Sequence, residues 1–340
     1  MTATAGRSGA SSSPDANAGD RAARGGGSTR VAVLAGGSSA EAEVSRSSAT
    51  QVAAALKGRS FDVQMIELDA GCVDVLRAFA PDVVFPVLHG PPGEDGTVQG
   101  MLSMLGFPYV GSDVRGAAAS MDKHIAKAVF RDAGLPLAND LTLPAGTDAQ
   151  VGAELVRQRL PGPVAIKPRS LGSGLGVTLL PDGGDVADAL HTALSYGDGV
   201  VVEEFITGRE ITVGVLDLHD EPASALPVVE IIVGEGEWYD YTNRYTPGRS
   251  EHVIPAPVSD DVAAGLKGVA MAAHRALCLR DLSRADFILG DNDDFVLLEV
   301  NAIPGMTPTS LYPDACRAVG IDFATLATRL VQSASRRGPS

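Results

Sequence analysis

The sequence is short of basic charge, aromatics and cysteine. Its 27 Lys and Arg face 42 Asp and Glu, a formal net charge of −15. The electrostatic footprint of a general nucleic-acid binder, or of a basic membrane patch, is therefore missing. A small anionic ligand is not excluded, because a local group of Lys, Arg and backbone N–H can hold phosphate on an acidic protein. The three cysteines, Cys72, Cys278 and Cys316, lie far apart and form no CxxC pair. That speaks against a disulfide framework or a zinc ribbon, reads them as small core hydrophobes, and makes a reducing cytoplasm the simplest compartment. No run of about 18 apolar residues occurs, so no spanning helix is expected. Arg7, Arg21 and Arg24 sit among Ala, Gly, Ser and Asp without an apolar stretch, which is not a secretory signal.

What is present is a 340-residue chain with 45% apolar residues, enough for two or three folding units. Residues 1–29 are of low complexity and read as a disordered tail. Val31–Ala35 is a short apolar run of the kind found in buried parallel strands. Gly36-Gly37-Ser38-Ser39 follows as a turn, then a helix from Ser45 to Leu56. Strands are expected at 62–68 and 82–87, a helix over 121–133, and strands at 164–167 and 176–180 around a Gly/Ser loop. A helix over 185–196 precedes a strand at 199–204. Beyond Ile211 another α/β unit is expected, with strands at 212–217, 224–232, 285–289 and 295–300. Strands alternating with helices imply α/β sheets with ligand contacts at strand ends.

Several constellations could carry chemistry. A turn centred on Asn292-Asp293 places Asp286 opposite Glu299, and Arg284 opposite Asn301. Two facing carboxylates repel unless a cation intervenes, and an oxygen-only donor set suits Mg²⁺ shared with phosphates. The other reading is a solvated polar hairpin face, which the apolar run Val296-Leu297-Leu298 disfavours. Lys167, ahead of a loop with Gly172, Ser173, Gly174 and Gly176, could clamp phosphate. Taken alone it reads first as an ordinary hairpin loop with an exposed lysine. The glycine turn after the first strand lacks the G-x-G-x-x-G spacing, so nicotinamide binding is rejected. Glu41, at a helix start, reads by default as a capping acid, with a substrate ammonium as the alternative. His89 begins a polar strand-end loop, His89 to Gly96, that could wall a substrate, although a lone His is more often structural. The segment from Trp238 to Arg249 mixes aromatics, cations and a Pro-Gly turn, as a covering loop over an anion would, or a plain surface loop.

In this order the pieces resemble the D-alanine–D-alanine ligase family of the ATP-grasp superfamily, from Arg30 to about Val331. The motifs are LAGGSSAEAEVS (34–45), LHGPPGEDGTVQGML (88–102), SMDK (120–123), YDYTNRY (239–245) and LLEVNAIPGMTPTSL (297–311). The resemblance implies an ATP-grasp fold of α/β class with α+β elements. Its three α/β subdomains would be an N-terminal substrate-binding domain over 30–120, a central one over 121–205, and a C-terminal one over 206–335 carrying the metal and substrate site. ATP would lie between the second and third. It further implies a cytoplasmic homodimer that joins two D-alanines with ATP and two Mg²⁺, Mn²⁺ being an alternative, for peptidoglycan precursors, with no nucleic-acid or membrane partner. Lys123 and Lys167 would contact phosphates, with Arg244 near them. Glu203 and the backbone of Glu204, Phe205 and Ile206 would hold adenine, Glu210 the ribose, and Trp238 would pack on the base. Asp286, Glu299 and Asn301 would bind metal. Glu41, with His89 nearby, would take the first D-alanine, and Ser310 with the Leu311 backbone the carboxylate of the second. Ser173 and Tyr245 would link to Glu41, and Arg284 with the Gly305 N–H would serve the oxyanion.

Three departures bear on the second substrate. Arg244 stands where the family usually has Lys, and the loop 170–176 lacks the usual Arg, Glu and second Ser. Pro91-Pro92 occupies a segment that is often glycine-rich. Two other readings follow. One is a divergent or drug-insensitive paralogue joining D-alanine to another D-amino acid. The other is a non-catalytic nucleotide-binding module, against which Arg284, Asp286, Glu299 and Asn301 are all retained.

Overall fold

The computed structural model describes residues 27–340 except 235 and 247, and leaves the Tyr245 side chain undescribed. The tail expected over 1–29 lies outside the described residues up to position 26. Elements are numbered here in chain order. β1 (Arg30–Ala35), β2 (Asp62–Glu67) and β3 (Val83–Pro86) form a parallel sheet in the order β2-β1-β3, joined through α1 (Ala42–Lys57) and α2 (Cys72–Phe79). Each strand is short, and its C-terminal end opens into a turn at Gly36, Leu68 or Val87. α3 (Thr97–Met104) and α4 (Val114–Met121) complete this part.

The helix expected over 121–133 is α5 (Lys123–Asp132), and α4 before it was not anticipated. Asp122, in extended backbone, separates them and accepts from the N–H groups of His124 and Ile125, so it ends one helix and caps the next. By packing, α5 belongs to the third sheet, since Ala126 and Phe130 are buried in that core.

The second sheet runs β4-β7-β5-β6, from β4 (Asp140–Leu143), β5 (Val164–Pro168), β6 (Thr178–Leu180) and β7 (Val200–Glu204). All its pairings are antiparallel. α6 (Ala149–Arg159) and α7 (Val186–Leu194) cover one face, and Leu143, Val156, Ile166, Leu190 and Val202 fill a core of its own.

The third sheet runs β10-β9-β8-β11-β12, again antiparallel throughout. Its strands are β8 (Arg209–Asp217), β9 (Ser224–Val233), β10 (Ser250–Val253), β11 (Asp281–Leu289) and β12 (Phe295–Asn301), with the short α8 (Tyr241–Tyr245) between β9 and β10. One face packs on α5 and α9 (Asp260–Ala276). The other shares a core with α10 (Leu311–Ala318), α11 (Phe323–Arg337) and the first sheet, where Val33 and Phe85 join Leu216, Leu282, Tyr312 and Leu330. The expected α/β class with α+β elements is borne out: the first sheet is parallel and wound with helices, and the second and third are antiparallel. β5–β6, β8–β9 and β11–β12 are joined directly as antiparallel hairpins, whereas α6, α7 and α9 carry the chain between strands that are not neighbours in their sheet.

The β11–β12 hairpin shows why register matters. Asp286 faces Glu299 and Arg284 faces Asn301, as expected, but the turn is centred on Asn292 rather than between Asn292 and Asp293: Leu289 pairs with Phe295 and Phe287 with Leu297, and the extra residue Leu298 restores the expected register beyond them. On a regular strand Leu297 and Glu299 would share a face. The bulge lets Leu297 point into the core while Glu299 faces the site.

Asp281, wholly buried in the left-handed region (φ 64°), joins the parts. Its carboxylate accepts from Gly111 N (2.8 Å), Ser333 Oγ (2.8 Å) and two nitrogens of Arg337 (both 2.7 Å). Asp281→Ala should cost about 3–5 kcal/mol by stranding a buried guanidinium, as a lowered urea midpoint at unchanged slope will show.

Candidate active site

Two cavities meet at Tyr239 and Arg244. The first lies between the second and third sheets. Lys123, Lys167, Glu203, Glu210, Asp286 and Glu299 line it with Phe205, Ile206 and Trp238. The second lies between α1 and the third sheet, lined by Arg284, Gly305, Ser310 and Leu311 among others. Asp286 faces the first and Arg284 the second, so their ion pair marks the divide.

In the first cavity Lys167 is not the exposed hairpin lysine that its loop alone suggests. Its ammonium contacts Glu203 Oε2, while Lys127 Nζ stands 2.8 Å from Glu203 Oε1. Burial would raise the Glu203 carboxyl, but Lys167 and Lys127 more than reverse this and hold it at about 2. With both oxygens engaged, Glu203 has a different first task from the base contact expected of it. In the segment that follows, Glu204 N donates to Asn139 O and Phe205 N to Pro163 O (both 2.9 Å). The Ile206 N–H has no acceptor among the described residues, and it lines the cavity.

Lys123 opens α5, contacts the Leu171 carbonyl and lies 3.9 Å from Glu299 Oε2. Burial lowers its pKa. Glu210 accepts from Tyr239 N (3.0 Å), tying the covering loop to β8, and burial raises its carboxyl. Trp238 lies against the Ser/Gly loop: a Cβ at Gly174 would come within 3.4 Å of its ring, and Gly174 has φ +71°. A side chain there would be strained and would push the covering loop outward. Arg244 donates to the Tyr239 carbonyl (3.0 Å) and stacks 4.6 Å above the Tyr239 ring, a use of the planar guanidinium that an ammonium reproduces poorly.

Asp286 accepts from Arg284 through two bonds (2.8 and 2.7 Å), from Thr212 Oγ1 (2.6 Å) and from Asn301 Nδ2 (3.0 Å). Burial would raise its carboxyl, yet Arg284 holds it low, and the same pairing raises Arg284. The guanidinium thus counters one of the two facing carboxylates directly. No group of three His, Cys, Asp or Glu that could hold a metal occurs among the described residues. Asp286 and Glu299 need Asn301 as their third oxygen donor, and that hard donor set fits Mg²⁺.

Glu41, two residues before Glu43 on the wall of the second cavity, stands at the N-cap of α1, but its carboxylate does not cap the helix. The default capping reading is corrected: Ser173 Oγ donates to Glu41 Oε1 across the gap between the second sheet's loop and the first sheet. Tyr245 closes α8, and its side chain lies outside the described residues. Ser310 precedes α10 and does not cap it; its hydroxyl turns to Thr307 (2.8 Å) and stands 3.0 Å from where a Gly305 Cβ would be. The Leu311 and Gly305 N–H groups have no acceptor among the described residues. Together with the N-terminal end of α10 they suit a carboxylate or an oxyanion.

Sequence reasoning missed Lys127, Thr212 and Glu94. A signal for Lys127 existed, since it interrupts the apolar stripe of Ala126 and Phe130. Glu94 accepts from Gly90 N (2.6 Å), and burial raises its carboxyl to about 8. Nothing in residue spacing distinguishes it from the adjacent Asp95.

Two antiparallel sheets gripping a lysine-lined cavity between them, with a parallel sheet packed beside the second cavity, define an ATP-grasp enzyme. The comparisons agree. Residues 70–112 match the D-ala D-ala ligase N-terminus and 129–332 the D-ala D-ala ligase C-terminus. The chain is 47% identical over 311 residues to a D-alanine–D-alanine ligase of Acidiphilium cryptum, covering 91% of this chain and 99% of that one. It superimposes on the Bacillus anthracis D-alanine–D-alanine ligase complexed with ATP (TM-score 0.78, 28% identity, 91% and 98% coverage). It also matches a D-Ala:D-Ser ligase of Enterococcus faecalis (TM-score 0.76, 28% identity, 90% and 99% coverage). The chain belongs to the D-alanine–D-alanine ligase family.

His89 supplies a pH test. It is 6% exposed, its Nε2 has no partner among the described residues, and burial, helped by Arg284, lowers its pKa to about 4. Below pH 6.5 the unfolded chain takes up a proton that the folded one refuses. The stability this histidine contributes is therefore complete above 6.5 and is lost as pH falls toward 4. His89→Gln should flatten that part of the urea-unfolding profile by about 3 kcal/mol.

Proposed function

We infer that this protein joins two D-alanines with ATP, making D-alanyl-D-alanine, ADP and phosphate. The observation that carries the reading is the divide itself. Lysines and metal-type oxygens line one side, an arginine and spare N–H groups line the other, and the Arg284–Asp286 pair spans the boundary. A phosphoryl donor in the first cavity would then meet a carboxylate in the second.

The chemistry follows from the side chains. Adenine would be read by the Ile206 N–H and enclosed by Phe205 and Trp238, with Glu210 at the ribose. Lys123 and Lys167 would screen the phosphates. Asp286, Glu299 and Asn301 would hold Mg²⁺, which when bound neutralises charge on the transferring phosphoryl group. Glu41 would take the first D-alanine's ammonium, Ser173 fixing its orientation. The carboxylate oxygen attacks the γ-phosphorus, ADP leaves, and an acyl phosphate forms. The second amino acid, its carboxylate at Ser310 and Leu311, then attacks the acyl carbon through its amine. Phosphate leaves and the amine loses a proton. Arg284 and the Gly305 N–H would hold the oxyanion of that step. The covering loop around Trp238 and Tyr239 would exclude the water that competes for the acyl phosphate.

Similarity to D-alanine–D-alanine ligases supports D-alanine as second substrate, and the retained ligand set disfavours a non-catalytic module. No helix among the described residues is long and apolar enough to cross a membrane. A cytoplasmic homodimer is part of the same reading.

With MgATP and D-alanine as the sole amino acid, phosphate release should accompany the dipeptide mass. ADP and phosphate without dipeptide would transfer the second site to another D-amino acid. Glu299→Gln should lower kcat by about 100-fold or more while shifting unfolding by under about 1 kcal/mol. Equal turnover by wild type and variant would remove Glu299 from the metal set.

A further inference from the structure

Lys127 is 2% exposed and does not line the nucleotide cavity, whereas Lys167 and Glu203 do. It lies on the core face of α5, between Ala126 and Phe130, where sequence pattern calls for an apolar residue. A lysine is almost never this buried unless a partner requires it. Its one carboxylate among the described residues is Glu203, itself 2% exposed, with 2.8 Å between Nζ and Oε1. The other oxygen of Glu203 meets Lys167.

Counting charge shows what this costs and supplies. Lys167 with Glu203 alone is a neutral pair, and a neutral pair attracts a distant phosphate only through its dipole. With Lys127 behind it the trio carries one net positive charge. Lys167 is the cavity-facing cation of the three, so that charge is delivered where a phosphate would lie. The depressed Glu203 carboxyl agrees, since one lysine need not hold it ionised alone.

We propose that Lys127 is a positioning residue for nucleotide phosphates: it neutralises Glu203 from the core side and leaves the charge of Lys167 for the ligand. This rests on the first cavity being the nucleotide site. It assigns Lys127 no contact with the nucleotide.

The test is calorimetric titration of the full chain with ADP, and with adenosine by competition, in Mg²⁺ buffer. Lys127→Met should weaken ADP by about tenfold or more and leave adenosine within about twofold, because only the phosphates feel the lost charge. KM for ATP should rise while KM for D-alanine stays unchanged. Lys127→Met combined with Glu203→Gln removes one charge of each sign, so Lys167 again faces the cavity unneutralised. That double variant should restore the ratio of ADP to adenosine affinity to within about threefold of wild type. A purely structural lysine would not be rescued by a second substitution. Equal ADP affinity in wild type and Lys127→Met overturns the proposal. So does a double variant as weak as the single one. If the single variant is too unstable to titrate, the double variant decides alone by its ADP-to-adenosine ratio. Failure of wild type to bind ADP at all would overturn the nucleotide reading, and this proposal with it.

Discussion

Two carboxylates face each other across β11 and β12, and the site is organised around their repulsion. Asp286 and Glu299 are cross-strand neighbours in a hairpin whose other face is core. Their negative charge must be countered locally, and the counter-groups come from three parts of the chain. Arg284 and Asn301 come from the hairpin itself, Thr212 from β8, and Lys123 from the start of α5. The bulge at Leu298 is what permits it, since a regular strand would turn either Leu297 or Glu299 the wrong way.

The same economy of charge runs through the nucleotide side. An acidic chain concentrates Lys123, Lys127, Lys167 and Arg244 around one cavity, but it does not leave them bare. Glu203 and Glu299 set how much positive charge reaches the opening. Burial sharpens each pairing, because a charge withdrawn from water interacts more strongly with whatever remains.

Much of this was legible before any coordinates. Strand alternation located the Asp286–Glu299 and Arg284–Asn301 oppositions, because a hairpin with a short turn has few registers to choose from. Short apolar runs located the strands, since those positions are buried on both sides. What was not legible depended on contacts distant in sequence. Lys167 looks exposed until Glu203, 36 positions on, is placed beside it. Glu41 looks like a cap until Ser173, 132 positions on, takes its carboxylate. Asp122 ends α4, which was not expected, and starts α5 two residues later than expected, because an aspartate can cap as readily as it can continue a turn. The antiparallel order was legible only at the β11–β12 turn; elsewhere α6, α7 and α9 fall between strands in the chain without making parallel crossovers.

Three sheets do not make three bodies. The first and third share one continuous core, which Asp281 and Arg337 fasten further, while the second keeps its apolar side chains to itself. Mechanically the molecule is a single anvil and a single jaw. The second cavity lies within the anvil, so its shape is set when the chain folds. The first lies along the seam, where no common core resists opening, and the reach of Ser173 across to Glu41 ties jaw to anvil.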